Sequence, residues 1–170
     1  MPLIFSQAIS QKSILDVGCG TGRYLKYIAD RYPNTQLSGL DITKDIVTMA
    51  GEAVPQASFQ ALDLESPQMK TFSEKNAGRF DLIYSIGVFQ CLSAVKIPHV
   101  FKAMRTMLSV GGHFFLVFAL KTKEKPSRIG YLRFMFAEIE EMLSAAGFKV
   151  SKISKVIDDY TAYVVAAPDT

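Results

Sequence analysis

The chain has 170 residues, of which 49% are hydrophobic and 21% are charged, and its net charge is +3. This length and composition fit one globular domain with a buried core and exclude a disordered chain. The small net charge gives no support to a nucleic-acid partner, and no apolar run approaches the roughly 18 residues of a membrane-spanning helix. Because Cys19 and Cys91 lie far apart without metal-ligand spacing, we expect a cytoplasmic protein with free thiols, no metal centre and no membrane contact.

Taken in chain order, apolar runs of strand length alternate with segments of helical period. The first half predicts a strand at Ser13–Val17, a helix at Thr21–Arg31, a strand at Gln36–Leu40, a helix from Thr43 to about Val54, a strand at Ala57–Leu62, and a loop or short helix at Ser66–Gly78. The first helix is the clearest, because Leu25, Ile28 and Tyr32 recur on one helix face. Thr43 is placed as the N-cap of the second helix.

The second half continues this alternation and then changes. It predicts a strand at Phe80–Ser85, a helix that begins at Pro98 and that Gly111–Gly112 ends, a strand at His113–Leu120, a helix at about Leu132–Ala146, and strands at Lys149–Ile157 and Tyr160–Ala167. Gly147 is placed as the cap of the last helix, and Asp158–Asp159 as the turn of a closing hairpin. The predicted fold is therefore α/β, a doubly wound, mostly parallel seven-stranded sheet with a C-terminal antiparallel hairpin, in a single domain over residues 1–170.

A glycine-rich loop follows the first predicted strand directly. The stretch DVGCGTG contains Asp16, Gly18, Gly20 and Gly22, and such glycines let a ligand approach the backbone before the next helix. The dinucleotide fingerprint G-x-G-x-x-G would need a glycine where Arg23 stands, and there is no Walker lysine pattern. A carboxylate at Asp16 repels phosphate and suits a ligand that carries positive charge.

Two further aspartates end later strands, Asp41 after the second and Asp63 after the third. Taken singly, an aspartate at a strand end is a common turn former. Ligands of open parallel sheets, however, bind at the carboxyl edge of the strands. Three aspartates at the ends of three successive strands therefore indicate a ligand site at this edge.

Several motifs together resemble one known family. Asp16-Val17-Gly18-Cys19-Gly20-Thr21-Gly22 resembles the first motif of class I methyltransferases that use S-adenosylmethionine, and similar later motifs are Gly39-Leu40-Asp41-Ile42, Ala61-Leu62-Asp63-Leu64, Phe80–Ser85 and Leu108–Gly112. The resemblance covers about residues 13–168 and implies a Rossmann-like methyltransferase fold. Because S-adenosylmethionine carries an ammonium and a sulfonium, an acid beside the loop agrees with this cofactor.

The resemblance also implies roles for the motif residues. Asp41 would accept hydrogen bonds from both ribose hydroxyls, Ile42 would lie against the adenine, and Asp63 with the Leu64 amide would contact the edge of that ring. The residues that follow the fourth strand would pass beside the methyl donor. The implied cofactor-binding set is Asp16, Gly18, Cys19, Gly20, Gly22, Asp41, Ile42, Asp63, Leu64, Ser85 and Ile86. Read from the residues alone, Cys19 is a small filler inside the loop.

The implied activity is methyl transfer by in-line displacement to a small-molecule O, N or C acceptor, which leaves S-adenosylhomocysteine. A base is needed only if the acceptor must lose a proton. His99 is the candidate base, because His113 would lie at the opposite edge of the sheet, and Tyr84 and Tyr131 fit packing equally well. The stretch SIGVFQ after the fourth strand lacks the [Asn/Asp]-Pro-Pro-[Tyr/Phe] pattern of relatives that methylate amino groups of bases or glutamine amides, which argues against those acceptors.

Residues 1–12 stand where relatives usually carry helices that cover the cofactor. Three explanations stay open: an open pocket, a cover supplied by a second copy or a partner chain, and a chain that is part of a longer protein. Two other functions stay open as well. One is a non-catalytic S-adenosylmethionine-binding domain whose partner completes the substrate pocket. The other is a nicotinamide dehydrogenase, against which stand Arg23 and the closing hairpin.

Overall fold

A computed structural model of the chain describes residues 12–121, 131–155 and 161–169. Helices and strands alternate along these residues. In chain order they are β1 (Ser13–Val17), α1 (Arg23–Arg31), β2 (Gln36–Asp41), α2 (Lys44–Ala53), β3 (Ser58–Ala61), α3 (Pro67–Lys75), β4 (Phe80–Ile86), a 3-10 turn (Phe89–Cys91), α4 (Ile97–Met107), β5 (Leu108–Ala119), α5 (Phe136–Ala145), β6 (Phe148–Lys155) and β7 (Thr161–Pro168).

The seven strands form one sheet in the order β3-β2-β1-β4-β5-β7-β6. The first five strands pair in parallel, whereas β7 runs antiparallel to both β5 and β6. The predicted α/β fold with its C-terminal antiparallel hairpin is thus confirmed. The strand order reverses direction between β1 and β4, so the carboxyl ends of these two strands lie at the switch point where open parallel sheets bind ligands.

Two buried hydrophobic clusters cover the two faces of the sheet. Successive residues of a strand point to opposite faces, and accordingly Leu15 belongs to one cluster and Ile14 to the other. The cluster that contains Leu15 also contains the buried faces of α3, α4 and α5, while the other contains that of α1. The helices therefore lie on both sides of the sheet, which is the doubly wound arrangement.

Two helix boundaries differ from the prediction by more than two residues. The helix predicted to run to Gly111–Gly112 ends at Met107, because Leu108 already pairs with Phe80 of β4. His113 pairs with Leu82, so the residues between Leu108 and His113 form a bulge in the ladder. An apolar residue at the end of an amphipathic helix and one at the start of a buried strand look alike in sequence, which explains the error.

The last helix begins at Phe136 rather than near Leu132. The backbone before it is used in tertiary pairing instead: Leu132 N donates to Gln90 O at 2.6 Å, and Phe134 N donates to Ala119 O at 2.9 Å. Of the other local predictions, Ser66–Gly78 contains the short helix α3, and Thr43 lies at the N-cap of α2 without a side-chain capping bond. The predicted turn at Asp158–Asp159 lies outside the described residues.

In residues 12–121, 131–155 and 161–169, no helix is both long and apolar enough to cross a membrane. Within those ranges no group of three or more His, Cys, Asp or Glu side chains is arranged to hold a metal ion. Cys19 is a buried free thiol and Cys91 is an exposed one.

Candidate functional site

The glycine-rich loop after β1 is held by the end of β2. Two consecutive loop amides, the first that of Gly18, donate to Leu40 O at 2.7 and 2.8 Å. Gly20 N donates to Asp41 Oδ2 at 3.0 Å, and Thr43 N donates to Asp41 Oδ1 at 3.1 Å. The Asp41 carboxylate therefore supports the loop and the start of α2 together. Because two carboxylate oxygens offer about four acceptor positions, Asp41 keeps the capacity to accept further hydrogen bonds.

Gly18 and Gly20 both have positive φ, +78° and +52°, but their surroundings differ. A Cβ placed on Gly18 would overlap the Val88 side chain, so packing alone excludes a larger residue there. A Cβ placed on Gly20 would meet no atom within 4 Å. Gly18 is thus required by the fold, whereas Gly20 borders an open space in which a ligand can reach the loop backbone.

Asp16 lies beneath this loop and is only 2% exposed. Its Oδ2 accepts a hydrogen bond of 2.8 Å from the hydroxyl of Tyr84, the residue that pairs with Asp16 across β1 and β4. Burial raises the pKa of Asp16 to about 7, the Tyr84 hydrogen bond opposes that rise, and the charge of Asp41 adds to it. Near neutral pH the carboxyl is therefore poised between its charged and neutral forms.

Cys19 is buried in the loop beside these acids. Burial, followed by the negative charges of Asp16 and Asp41, raises the pKa of the Cys19 thiol to about 12. A thiol with this pKa stays protonated near neutral pH and is a poor nucleophile. A buried, protonated thiol agrees with the interpretation of Cys19 as a small filler inside the loop.

The residues at the exit of β4 present backbone rather than polar side chains. Ser85 is fully buried and its Oγ donates to Val17 O at 2.8 Å, so the hydroxyl joins β4 to β1. Ile86 is half-buried at the end of the strand. Gly87 N then donates to Val117 O at 3.1 Å, which fixes the first residue after the strand.

Asp63, Leu64 and Ile42 lie at the ends of β2 and β3, which are neighbours in the sheet. Asp63 is exposed, and its Oδ1 accepts a hydrogen bond from Glu65 N at 2.8 Å, which is a turn-forming contact. Ile42 is 67% exposed directly after Asp41, while Leu64 is 9% exposed. The exposed Ile42 side chain gives this edge an apolar surface near the carboxylates of Asp41 and Asp63.

His99 does not contact the glycine loop. It is exposed in the first turn of α4 and lines a groove of about 470 Å³ between α3 and α4, together with Leu64, Lys96 and Val100. No residue of the loop lines this groove. His113 lies beside Leu82 near the amino end of β4, at the edge opposite the loop. The role of His99 as a base stays a prediction.

Sequence reasoning missed the contact between Tyr84 and Asp16. The pattern of β4 identified Tyr84 as a buried strand residue, which is correct because it is fully buried. Only the register of β1 against β4 places its hydroxyl next to the acid of the loop. The available signal was that a buried tyrosine hydroxyl usually has a hydrogen-bond partner.

Comparison with known proteins agrees with this geometry. Residues 14–112, more than half of the chain, match the family model described as "Methyltransferase domain". The chain belongs to this methyltransferase family. The matched residues of the methyltransferase domain run from β1 to the bulge before His113, and so include the glycine loop and the ends of β2, β3 and β4.

A curated relative of the methyltransferase domain agrees with the family assignment. This chain is 33% identical over 118 residues to malonyl-[acyl-carrier protein] O-methyltransferase 1 of Ilyobacter polytropus. The match covers 66% of this chain and 40% of that protein. The chain thus spans about two fifths of the length of the first curated relatives it matches.

Solved structures share the fold at lower identity. The TehB-like S-adenosylmethionine-dependent methyltransferase of Corynebacterium glutamicum superposes with a TM-score of 0.78 at 20% identity, over 98% of this chain and 85% of that one. The [4+2]-cyclase SpnF reaches the same TM-score at 15% identity, over 98% and 79% of the two chains. Because a protein named as a cyclase has this fold, the fold of the methyltransferase domain does not by itself fix the reaction.

Proposed function

We propose that this chain is a single S-adenosylmethionine-binding domain that transfers the methyl group of that cofactor to a small-molecule acceptor. The observation that carries the proposal is the hydrogen bond from Gly20 N to Asp41 Oδ2. This bond places a carboxylate that could accept from ribose hydroxyls next to a loop amide that borders open space. The Asp16 carboxyl under the same loop suits a ligand with a cationic group. A dinucleotide phosphate at the loop would meet repulsion from Asp16, whereas an acid at the position of Asp41 could bind the ribose of either ligand.

The cofactor would lie along the carboxyl edge of the sheet. Its ribose would meet Asp41, its adenine would lie against Ile42 and near the Leu64 amide, and Asp63 would face the amino group of the ring. The residues proposed to contact it, by side chain or by backbone, are Asp16, Gly18, Cys19, Gly20, Gly22, Asp41, Ile42, Asp63, Leu64, Ser85 and Ile86.

When bound, S-adenosylmethionine supplies an activated methyl group with a neutral thioether as leaving group. The part of this chain would be to hold the reacting atoms in line and to exclude water. Asp16 is buried beneath the loop and Cys19 is protonated, so neither is placed to take a proton from an acceptor. An acceptor whose oxygen is already ionised would need no base.

The name of the curated relative from Ilyobacter polytropus describes O-methylation of a malonyl group on an acyl-carrier protein. A malonyl carboxylate is an ionised oxygen nucleophile, which agrees with the absence of a base from the described residues around the glycine loop. We therefore favour a carboxylate among the O, N and C acceptors. For an acceptor that must lose a proton, the candidate base is His99, which lies in the groove between α3 and α4.

A second candidate function is cofactor binding without catalysis, with a partner or a second copy completing the substrate pocket. One observation favours it: the groove of about 470 Å³ lies between α3 and α4 and not over the glycine loop. Turnover of S-adenosylmethionine with a panel of carboxylic acids and thioester-linked acids separates the two candidates. Product formation by the chain alone would support the enzyme.

The binding step is tested by titration with S-adenosylmethionine, S-adenosylhomocysteine and, as a control, NADH. At a ligand concentration of about 100 times Kd, binding adds about 2.7 kcal/mol to the free energy of unfolding. For a domain of this size the melting temperature should then rise by several degrees, at roughly 2–4 °C per kcal/mol. We expect that rise with both sulfur ligands and not with NADH. A rise with NADH alone would contradict the proposal.

Gly20→Ala is expected to weaken S-adenosylhomocysteine binding at least about tenfold, because the added methyl group enters the space in which the ligand meets the loop. Its control is Gly111→Ala, at a glycine with φ +77° and likewise no atom within 4 Å of an added Cβ. Both variants should lose about 1–2 kcal/mol of stability from the left-handed backbone. Calorimetric titration should therefore give different affinities for two variants that have similar melting temperatures. Equal affinities would show that no ligand approaches Gly20.

A further inference from the structure

Tyr84 has an unusual hydrogen-bond partner for a tyrosine in the middle of a core. It is fully buried in β4, and its hydroxyl donates to Asp16 Oδ2 at 2.8 Å. Asp16 Oδ1 accepts no hydrogen bond from the described residues, although the side chain is only 2% exposed. One oxygen of this carboxyl is thus fixed by Tyr84, and the other, which is not among the fully enclosed atoms that lack a partner, can be reached by a ligand group or by water.

Within the described part of the chain, the charged groups around this pair do not offset the negative charge of an ionised Asp16. The titratable groups that act on the pair are Cys19 from the loop, Asp41 from β2 and Tyr24 from α1, together with the two members themselves. Among the described residues, no lysine, arginine or histidine forms an ion pair with Asp16. A buried carboxylate with one hydroxyl donor and a second acid nearby is costly to ionise. A cationic ligand group would offset that cost.

We propose that Tyr84 is a positioning residue for the cofactor, whose buried hydroxyl orients the Asp16 carboxylate so that its second oxygen receives the ammonium group of the methionine part. This inference rests on the proposed function. The hydroxyl does not touch the ligand. It acts by fixing the rotation of the Asp16 carboxyl group through Oδ2 and by stabilising its charged form.

This arrangement makes affinity depend on pH in a way that can be measured. If only the ionised form of Asp16 receives the ammonium, affinity rises with pH through the pKa of about 7 and falls again at the higher pH where the amino group of the ligand loses its proton. Between pH 6 and pH 8 the ionised fraction grows about tenfold, so affinity should grow by about the same factor. Removing the Tyr84 hydroxyl removes a contact that lowers the pKa, and the midpoint of the rise should therefore move to higher pH.

The test compares the full chain with Tyr84→Phe and with Tyr163→Phe as the matched control. Tyr163 lies in the same core cluster, is 4% exposed and stacks on Phe115 at 5.5 Å between ring centroids. Calorimetric titrations between pH 5.5 and 9 would use two ligands. S-adenosylhomocysteine carries the ammonium, and 5′-deoxy-5′-methylthioadenosine keeps the adenosine and the thioether but lacks the amino-acid part.

With S-adenosylhomocysteine, we expect Tyr84→Phe to bind several-fold more weakly at pH 7 and to shift the midpoint upward, while Tyr163→Phe matches the parent. With methylthioadenosine, both variants should match the parent at each pH. A loss shared equally by both ligands, or an unchanged midpoint with S-adenosylhomocysteine, would show a merely structural role for Tyr84 and overturn the inference. If the parent binds neither ligand, the proposed function itself fails.

Should Tyr84→Phe not fold, Asp16→Asn replaces it, because the amide keeps the shape and an acceptor for the Tyr84 hydroxyl. Its affinity for S-adenosylhomocysteine should be flat between pH 6 and pH 8. A rise in that variant as steep as in the parent would place the titrating group elsewhere and overturn the inference.

Discussion

Asp41→Ala is expected to weaken binding of S-adenosylmethionine at least about a hundredfold. Two hydrogen bonds from ribose hydroxyls to a charged acceptor contribute roughly 1.5–3 kcal/mol each, and about 1.4 kcal/mol corresponds to a factor of ten. The same change removes the acceptors of Gly20 N and Thr43 N, so the loop and the start of α2 lose their common support. Calorimetric titration measures the affinity, and thermal melting measures the loss of stability.

The control for this prediction is Asp45→Ala, which removes an exposed carboxylate from the first turn of α2. It should cost only a few tenths to about 1 kcal/mol of stability through the helix dipole and leave affinity unchanged. Asp41→Asn separates the roles further, because its amide oxygen can accept from the loop but its nitrogen cannot accept at all. An affinity of Asp41→Ala within threefold of the parent would refute the assignment of Asp41 to the ribose.

Asp16→Asn is expected to stabilise the ligand-free protein at pH 8. In the folded protein the pKa of Asp16 is raised from 3.8 to about 7, so the folded state binds this proton more tightly than the unfolded state. Stability therefore falls as pH rises above about 4, and the full cost is present above about 7. Three pKa units correspond to at most about 4 kcal/mol, which predicts a rise of several degrees in melting temperature.

The gain from Asp16→Asn should shrink as pH falls and vanish below about pH 3, where the carboxyl is largely neutral in both the folded and the unfolded state. The matched control is Asp81→Asn at the opposite edge of the sheet. Asp81 accepts hydrogen bonds from Lys12 N and Ser13 N at 3.0 Å each and from Ser109 Oγ at 2.8 Å, so its amide variant should lose about 1–3 kcal/mol. A lower melting temperature for Asp16→Asn at pH 8 would show that the charged form is not penalised.

Much of the fold could be predicted because local pattern and tertiary role agree in the first half of the chain. β1 matches its predicted range, Ser13–Val17, since all five of its residues are buried and the glycine loop ends it. The boundary between α4 and β5 could not be predicted, because it depends on Leu108 pairing with a strand that lies far away in sequence. The start of α5 depends in the same way on the partners of Leu132 and Phe134.

The candidate site was predictable in position and less so in geometry. The motifs placed Gly20 and Asp41 at one edge, but their hydrogen bond joins residues that are 21 positions apart and depends on how the loop folds back. Ser85 was predicted as a member of the cofactor-binding set, and its hydroxyl donates to Val17 O, a contact that no local pattern indicates. The Tyr84–Asp16 contact likewise depends on the register of two strands 68 positions apart.

The position of β7 bears on how the chain folds. β7 follows β6 in sequence but lies between β5 and β6 in the sheet. Until it inserts, the edge of β5 offers unpaired backbone groups beside large apolar residues such as Phe115 and Phe118, a surface on which partly folded chains can associate. A nascent chain that has been synthesised up to β6 therefore has a sheet with an open edge at β5. We expect chaperone binding or aggregation of the nascent chain chiefly during the interval before β7 has been synthesised.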